Sequence, residues 1–305
     1  MRHALESIRP SDAINLAFIS FLLLVSIAFR GRVQDWSLLA PLYLLLLVAA
    51  FFLLYVDCKR PGRFIGFLRR WYPLAYIGIS YFSLGKIVHH VLPYDIDAQL
   101  IAIDYAIFGV HPTVFLTRFM NPFIVDLLEL CYASFYWLPV ILGLVLYAKQ
   151  RMQEFETLAT AISLGFYLSY IGNLIFPVQG PYYTLDALHT VPVEGSWLGN
   201  FLRSFLFSLE PYKWDCFPSG HTAVTLIVIV YCYRFARRLF WVMLPVTVGL
   251  IISTVFLQHH YVVDIIAGVT VAGVVVFATD LIQRAWPDRV KKSSSIDQSE
   301  SSGSI

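Results

Sequence analysis

Charge is what this sequence has least of. Only 14% of its 305 residues are Asp, Glu, Lys or Arg, while 58% are hydrophobic and 16% aromatic. A soluble domain carries about 25% charge, so the scarcity excludes a water-soluble globule and points to a polytopic membrane protein. The net charge of +2 says less than its distribution, and no nucleic-acid partner is expected. Cysteines are few: Cys58, Cys131, Cys216 and Cys232 show no CxxC or metal-ligand spacing, so neither a disulfide nor a metal centre is predicted. No charged or Pro/Gly-rich linker separates the apolar runs, which makes residues 1–292 one expected transmembrane domain. The tail, 293–305, is Ser-rich and polar, hence expected to be disordered. No repeat of 20–50 residues is visible. The first apolar run ends at Phe29-Arg30 without an A-x-A-like cleavage site, so it reads as a retained first span.

What is present is a series of apolar runs. They predict an all-α transmembrane bundle of about eight spans, near 14–30, 36–56, 71–91, 125–148, 157–176, 219–237, 239–258 and 261–282. A run of about 20 residues, at 1.5 Å per residue, crosses a ~30 Å hydrocarbon core. The N-terminus, loops 57–70, 149–156 and 234–238, and the tail together hold 16 of the 22 Lys and Arg residues. The positive-inside rule then places both termini in the cytoplasm and the alternate loops outside. Pro139 is expected to bend the fourth span. Between 93 and 124 the pattern suggests a short interfacial helix. In the long loop 177–218, Trp197, Leu198, Phe201, Leu202, Phe205 and Leu209 recur at helical spacing, as in an amphipathic helix lying on the membrane surface.

Two polar islands stand out in this background. Pro218-Ser219-Gly220-His221 opens one apolar run, and His260-Tyr261-Val262-Val263-Asp264 opens another. The two runs between them form a hairpin that crosses and returns, so His221 and His260 arrive on one face of the membrane. Ser219 is placed to cap its helix, whose N-terminus suits an anion. Gly220 lets a ligand approach the backbone. His260 and Asp264, at i and i+4, share a helix face, and the carboxylate can hold one imidazole nitrogen as N–H while leaving the other free. A metal set of His221, His259, His260 and Asp264 is the lesser alternative.

These islands resemble the type-2 phosphatidic acid phosphatase superfamily. Pro218-Ser219-Gly220-His221 matches its P-S-G-H motif residue for residue, and Ser253-Thr254-x5-His260-x3-Asp264 follows its S-R-x5-H-x3-D motif. Its first motif, K-x6-R-P, falls on Asn173-x6-Gly180-Pro181. The resemblance implies an all-helical fold with six core spans, a catalytic core at about 125–285, and two added spans ahead of it. It also implies that His260 attacks phosphorus, Asp264 orients it and His221 protonates the leaving group. Ser219, Gly220, Asn173 and Gly180 would then surround the phosphate. No cofactor is implied, and the expected partners are membrane lipids, with no obligate protein partner.

All three of the family's basic positions are changed, to Asn173, Gly180 and Thr254. Since phosphoryl transfer depends on neutralising oxygen charge, Lys213, His259, Arg203, Arg118 and Lys86 are the candidate replacements. Tyr182, with Tyr183, either bonds a head group or belongs to an aromatic belt. The His259-His260 doublet and Phe176-Pro177 resemble the inositol-phosphorylceramide synthase branch. Three readings follow. The intact P-S-G-H favours a lipid phosphate phosphatase at the outer face of the cytoplasmic membrane. The lost basic residues favour a phospho-head-group transferase. A phospholipid-binding or transport protein without turnover is the third.

Overall fold

The structure, a computed structural model, describes residues 7–210 and 212–286. The expected tail beyond 292 lies outside them. The described residues contain fourteen α-helices and no strand. In chain order these are α1 Pro10–Ala28, α2 Trp36–Lys59, α3 Arg63–Leu84, α4 Val88–Val91, α5 Asp97–Phe108, α6 Pro112–Leu116, α7 Pro122–Ala133, α8 Leu138–Ala148, α9 Met152–Ile175, α10 Pro181–Thr184, α11 Trp197–Leu209, α12 Gly220–Phe235, α13 Arg237–Phe256 and α14 Val262–Ala285.

Five helices, α1, α2, α9, α13 and α14, are long and apolar enough to cross a membrane. The count reaches seven if each of two bent pairs is one span: α7 with α8, bent by 48°, and α5 with the 112–119 segment, bent by 61°. The first bend falls where Pro139 predicts it, after the 3-10 turn Ser134–Tyr136. Among the described residues, length and apolarity alone give five to seven candidate spans, consistent with the expected polytopic bundle. α12, at 16 residues, reaches only about 24 Å, and α3 carries Arg63, Arg69 and Arg70 in its first two turns. The chain is a multi-pass, all-helical membrane protein.

Packing explains why apolar runs of similar composition take different places. In α2 the buried residues Leu39, Tyr43, Leu46, Ala50 and Leu54 form one stripe, while Leu38, Leu45, Phe52 and Tyr55 remain exposed. Such outward apolar surface is what lipid requires. α12 is buried on nearly every side, from Thr222 to Cys232, and packs against α9, α13 and α14. Gly268 lets α14 approach α12 closely, since a Cβ there would lie 2.7 Å from the Ser219 carbonyl and 2.9 Å from Thr222 Cβ.

The bundle has a polar cluster at each end of α9. Near its start, Arg9 and Arg69 both pair with buried Asp12, at 2.9 and 3.1 Å, and Arg69 also reaches Asp57 at 2.6 Å. Tyr72 donates to Asp12 at 3.0 Å. Near its other end lie Asn173, the start of α12 and the start of α14. The second cluster opens onto cavities.

Candidate active site

The site forms where α12 and α14 begin. Ser219 caps α12: its Oγ accepts from the Thr222 N–H at 3.2 Å, and its own N–H donates to the Asp264 carbonyl at 3.2 Å. Both helix starts are thereby tied together. Asp264 Oδ2 accepts the Tyr261 N–H at 2.8 Å, receives the Cys216 thiol at 2.9 Å and lies 3.4 Å from His260 Nδ1. With Nδ1 facing the carboxylate, His260 turns Nε2 toward His221 Nδ1, 3.4 Å away. His221 Nε2 lies 3.3 Å from Glu210 Oε1, and Glu210 accepts from the Tyr132 and Tyr136 hydroxyls at 2.9 and 2.5 Å. The result is one line of titratable groups: Asp264, His260, His221, Glu210. A carboxylate lies beside an imidazole at each end, and the two rings meet in the middle.

A second layer fixes the loops. On α5, buried Asp97 accepts the N–H groups of Gln179 and Gly180 at 2.9 Å and the Tyr261 hydroxyl at 2.8 Å. Seven residues on, Asp104 accepts the N–H groups of Val262 and Val263 at 2.8 and 2.9 Å, filling the orphan donors at the start of α14. Gly180 sits at φ +94°, and a Cβ there would lie 2.9 Å from the His259 carbonyl, so only glycine fits this turn.

A profile of one known family matches residues 98–278, more than half the chain, and covers every group in this line. The chain belongs to the PAP2 superfamily. It is also similar to a PA-phosphatase related-family protein of Dictyostelium discoideum, 28% identical over 102 residues, which are 32% of this chain and 18% of that protein. The chain thus spans less than a fifth of that relative's length. No solved structure matches it.

Two cavities meet at the histidine pair of this PAP2 site. The larger, about 360 Å³, runs between α3, the α7–α8 bend and α9, with apolar and aromatic walls that include Leu74, Ile77, Phe135, Val140 and Phe166. The other is polar and lined by Tyr132, Tyr182, Tyr183, Tyr212, His259 and His260 among others. His221, Glu210 and Asp215 border both. The structure therefore brings together His221, His259, His260, Asp264 and Tyr182. Asn173 and Gly220 face the apolar cavity instead, and the Asn173 amide lies against the Ser169 and Phe217 carbonyls, which call for its nitrogen on that side. Ser219 is spent on its cap, and the Gly180 N–H on Asp97.

Of the expected basic replacements, Lys213, Arg203, Arg118 and Lys86 are not in either lining. Lys213 is exposed, its ammonium 4.6 Å above the Tyr183 ring. Arg203 pairs with Glu129 at 3.1 Å, Arg118 stacks on Phe115, and Lys86 pairs with Asp35 at 2.8 Å. His259 does line the polar cavity, but burial, followed by the nearby Arg203 charge, lowers its pKa well below the usual histidine value, so it stays neutral. Its ring and that of His221 sandwich Tyr132, at 4.4 and 4.7 Å.

Acidic groups stand where cations were expected. Burial alone would raise the Glu210 carboxyl, but the His221 charge and contact and the Tyr136 hydroxyl outweigh it and bring the group down to about 2. Asp215, held by the Tyr81 hydroxyl at 2.8 Å, is pushed up to about 6 by burial and then by the Glu210 charge. A carboxyl raised above its ordinary value of 3.8 contributes stability below that value and loses it as pH rises through about 6. Asp215→Asn should accordingly make the protein more stable than wild type at pH 7.5, by roughly 3 kcal/mol. That advantage should shrink toward pH 4. Thermal unfolding in micelles at both pH values measures it, and an equal advantage at both would refute the assignment.

Glu210, Asp215, Cys216, Asp97 and Asp104 all escape motif reading. The available signal was crowding: in a chain with 20 acidic residues, two fall within eleven positions before His221. Cys216 Sγ, His260 Nδ1 and Asp264 Oδ2 lie within 4.8 Å of one another, a donor set that a zinc ion accepts. In the arrangement seen here the thiol instead donates to the carboxylate, and burial followed by the Asp264 charge raises its pKa well above the ordinary value.

Proposed function

We propose that the chain transfers phosphoryl groups from membrane lipid phosphoesters through a phosphohistidine on His260. The observation that carries this reading is the line Asp264–His260–His221–Glu210 lying between an apolar and a polar cavity. Asp264 keeps the His260 Nδ1 proton in place, which leaves Nε2 as the nucleophile. His221 then gives its proton to the leaving oxygen and, in the second half-reaction, takes one from the acceptor. Its Nε2 faces Glu210, which stabilises the protonated ring. Because the two imidazoles are 3.4 Å apart, phosphorus reaches Nε2 only when substrate parts them.

The acceptor defines the two finer activities. Water gives a lipid phosphate phosphatase, the reading the intact P-S-G-H motif supports. An alcohol gives a head-group transferase, the reading supported by linings without lysine or arginine. Brief incubation with a lipid labelled with ³²P at phosphorus, followed by denaturation, tests the shared step. Label should stay on the protein in alkali, leave it in acid and be missing from His260→Ala. Label that resists acid, or persists in that variant, rules out the phosphohistidine.

We further propose that the site faces outward from the cytoplasmic membrane, with the termini inside, on the support of the Lys and Arg distribution alone. Cys58, exposed near the end of α2, is expected to resist an impermeant maleimide on intact cells and to react after permeabilisation. Labelling of Cys58 on intact cells would reverse the orientation. Cys216 is a poor reporter, since its thiol is buried and raised in pKa, and should label only on denaturation.

A further inference from the structure

A site for phosphoesters ought to supply positive charge, yet this one supplies the opposite. Among the described residues, no Lys or Arg lines either cavity. Arg203 is spent on Glu129, and Lys213 is exposed, over the Tyr183 ring. Two carboxylates, Glu210 and Asp215, border both cavities. A phosphomonoester, which approaches two negative charges at neutral pH, would meet them with no lysine or arginine in the lining to offset the repulsion. Tyr182, Tyr183, Tyr212 and Phe207 complete the polar cavity around these acids. Aromatic rings beside carboxylates are the surroundings that select an ammonium group.

We propose that the substrate brings the missing cation itself: a zwitterionic phosphodiester lipid whose ammonium head group lies against Asp215 and Glu210 in the aromatic polar cavity. Its lipid alcohol occupies the apolar cavity behind His221. This inference rests on His260 being the nucleophile. His260 Nε2 forms a bond to phosphorus while the bond from phosphorus to the lipid alcohol oxygen breaks, and the His221 proton passes to that oxygen. The ammonium-bearing phosphoryl group stays on His260. A hydroxyl from water or a second alcohol then attacks phosphorus, loses its proton to His221 and releases Nε2. The placement explains why His221 borders both cavities: it serves the oxygen that links the two parts of the lipid.

The experiment uses the full chain in detergent micelles with three probes sharing the same acyl chains: a choline phosphodiester, an inositol phosphodiester and the phosphomonoester phosphatidic acid. Phosphoenzyme formation and kcat/KM are measured for each. The expected result is a preference of at least tenfold for the choline lipid over the inositol lipid, reduced at least tenfold in Asp215→Asn. Tetramethylammonium should inhibit wild type competitively, which tests the cavity even where that variant folds poorly. Phosphoenzyme formed from phosphatidic acid or the inositol lipid in preference to the choline lipid overturns this inference and leaves His260 chemistry standing. So does a preference that Asp215→Asn does not change, or an absence of inhibition by tetramethylammonium. No phosphoenzyme from any probe overturns both.

Discussion

Replacing His260 with Ala should lower phosphoryl transfer by at least about 10⁴-fold, because a covalent route loses its only nucleophile. The geometry separates this effect from that of its neighbours. Asp264 touches no substrate in the proposed course. Its Oδ2 holds His260 Nδ1, but the same oxygen is also fixed by the Tyr261 N–H and the Cys216 thiol. Asp264→Asn keeps the volume and loses the charge that stabilises an imidazolium, so a smaller drop of about 10²–10³ in kcat is expected, with little change in KM. His260 is only 4% exposed, so truncation leaves a cavity, and His260→Asn provides a fuller side chain as a control. Initial rates with labelled lipid, together with the melting temperature of each variant, distinguish lost chemistry from lost structure. Turnover of His260→Asn within tenfold of wild type would sink the mechanism.

The sequence makes the helices legible because membrane spans leave a one-dimensional signature. Apolar runs, the Ser219 cap and the bend at Pro139 are local properties, and each appears where its residues predict it. The histidine pair was legible for a different reason. His221 and His260 are 39 residues apart, but the α12–α13 hairpin converts that separation into one turn at the same end of the bundle. No such rule applies to the segment that closes the site. Glu210 and residues 212–216 hold no hydrophobic period, and their positions depend on how an irregular stretch packs over the starts of α12 and α14. Glu210 thus comes beside His221, and Asp215 beside Tyr81, through contacts no spacing encodes.

The same distinction accounts for the cations. Lys213 and Arg203 lie in the expected outer loop, and their charge made them candidates for phosphate. A loop position, however, does not say what a long side chain will reach. Lys213 finds the Tyr183 ring, while Arg203 finds a carboxylate buried in α7. Asp97 and Asp104 show the converse. Acidic residues in an interfacial segment read as solvated from sequence, yet they are 4% and 2% exposed because backbone N–H groups of the site loops need acceptors there.

Arg203→Ala should destabilise the protein by about 3–5 kcal/mol, the loss expected when one partner of a buried ion pair is removed. Glu129 is wholly buried, and Arg203 is the residue that bonds it, at 3.1 Å. The contrast with Asp12, also wholly buried, is instructive. Asp12 has Arg9, Arg69 and Tyr72 around it, so losing any one partner leaves the charge compensated. Glu129 has no such reserve, and its Oε2 already lacks a hydrogen bond. Arg203 also lies 5.3 and 5.0 Å from the Tyr182 and Phe207 rings, so its loss loosens the wall of the polar cavity as well as the seat of α11 on α7. If the uncompensated charge is the cause, adding Glu129→Gln to Arg203→Ala should recover most of the lost stability. The missing cation–π contacts would then remain as the smaller residue of the effect, about 0.5–1 kcal/mol. Unfolding in micelles of both single variants and the double variant completes the cycle, and a double variant no more stable than Arg203→Ala would place the loss in packing, not charge.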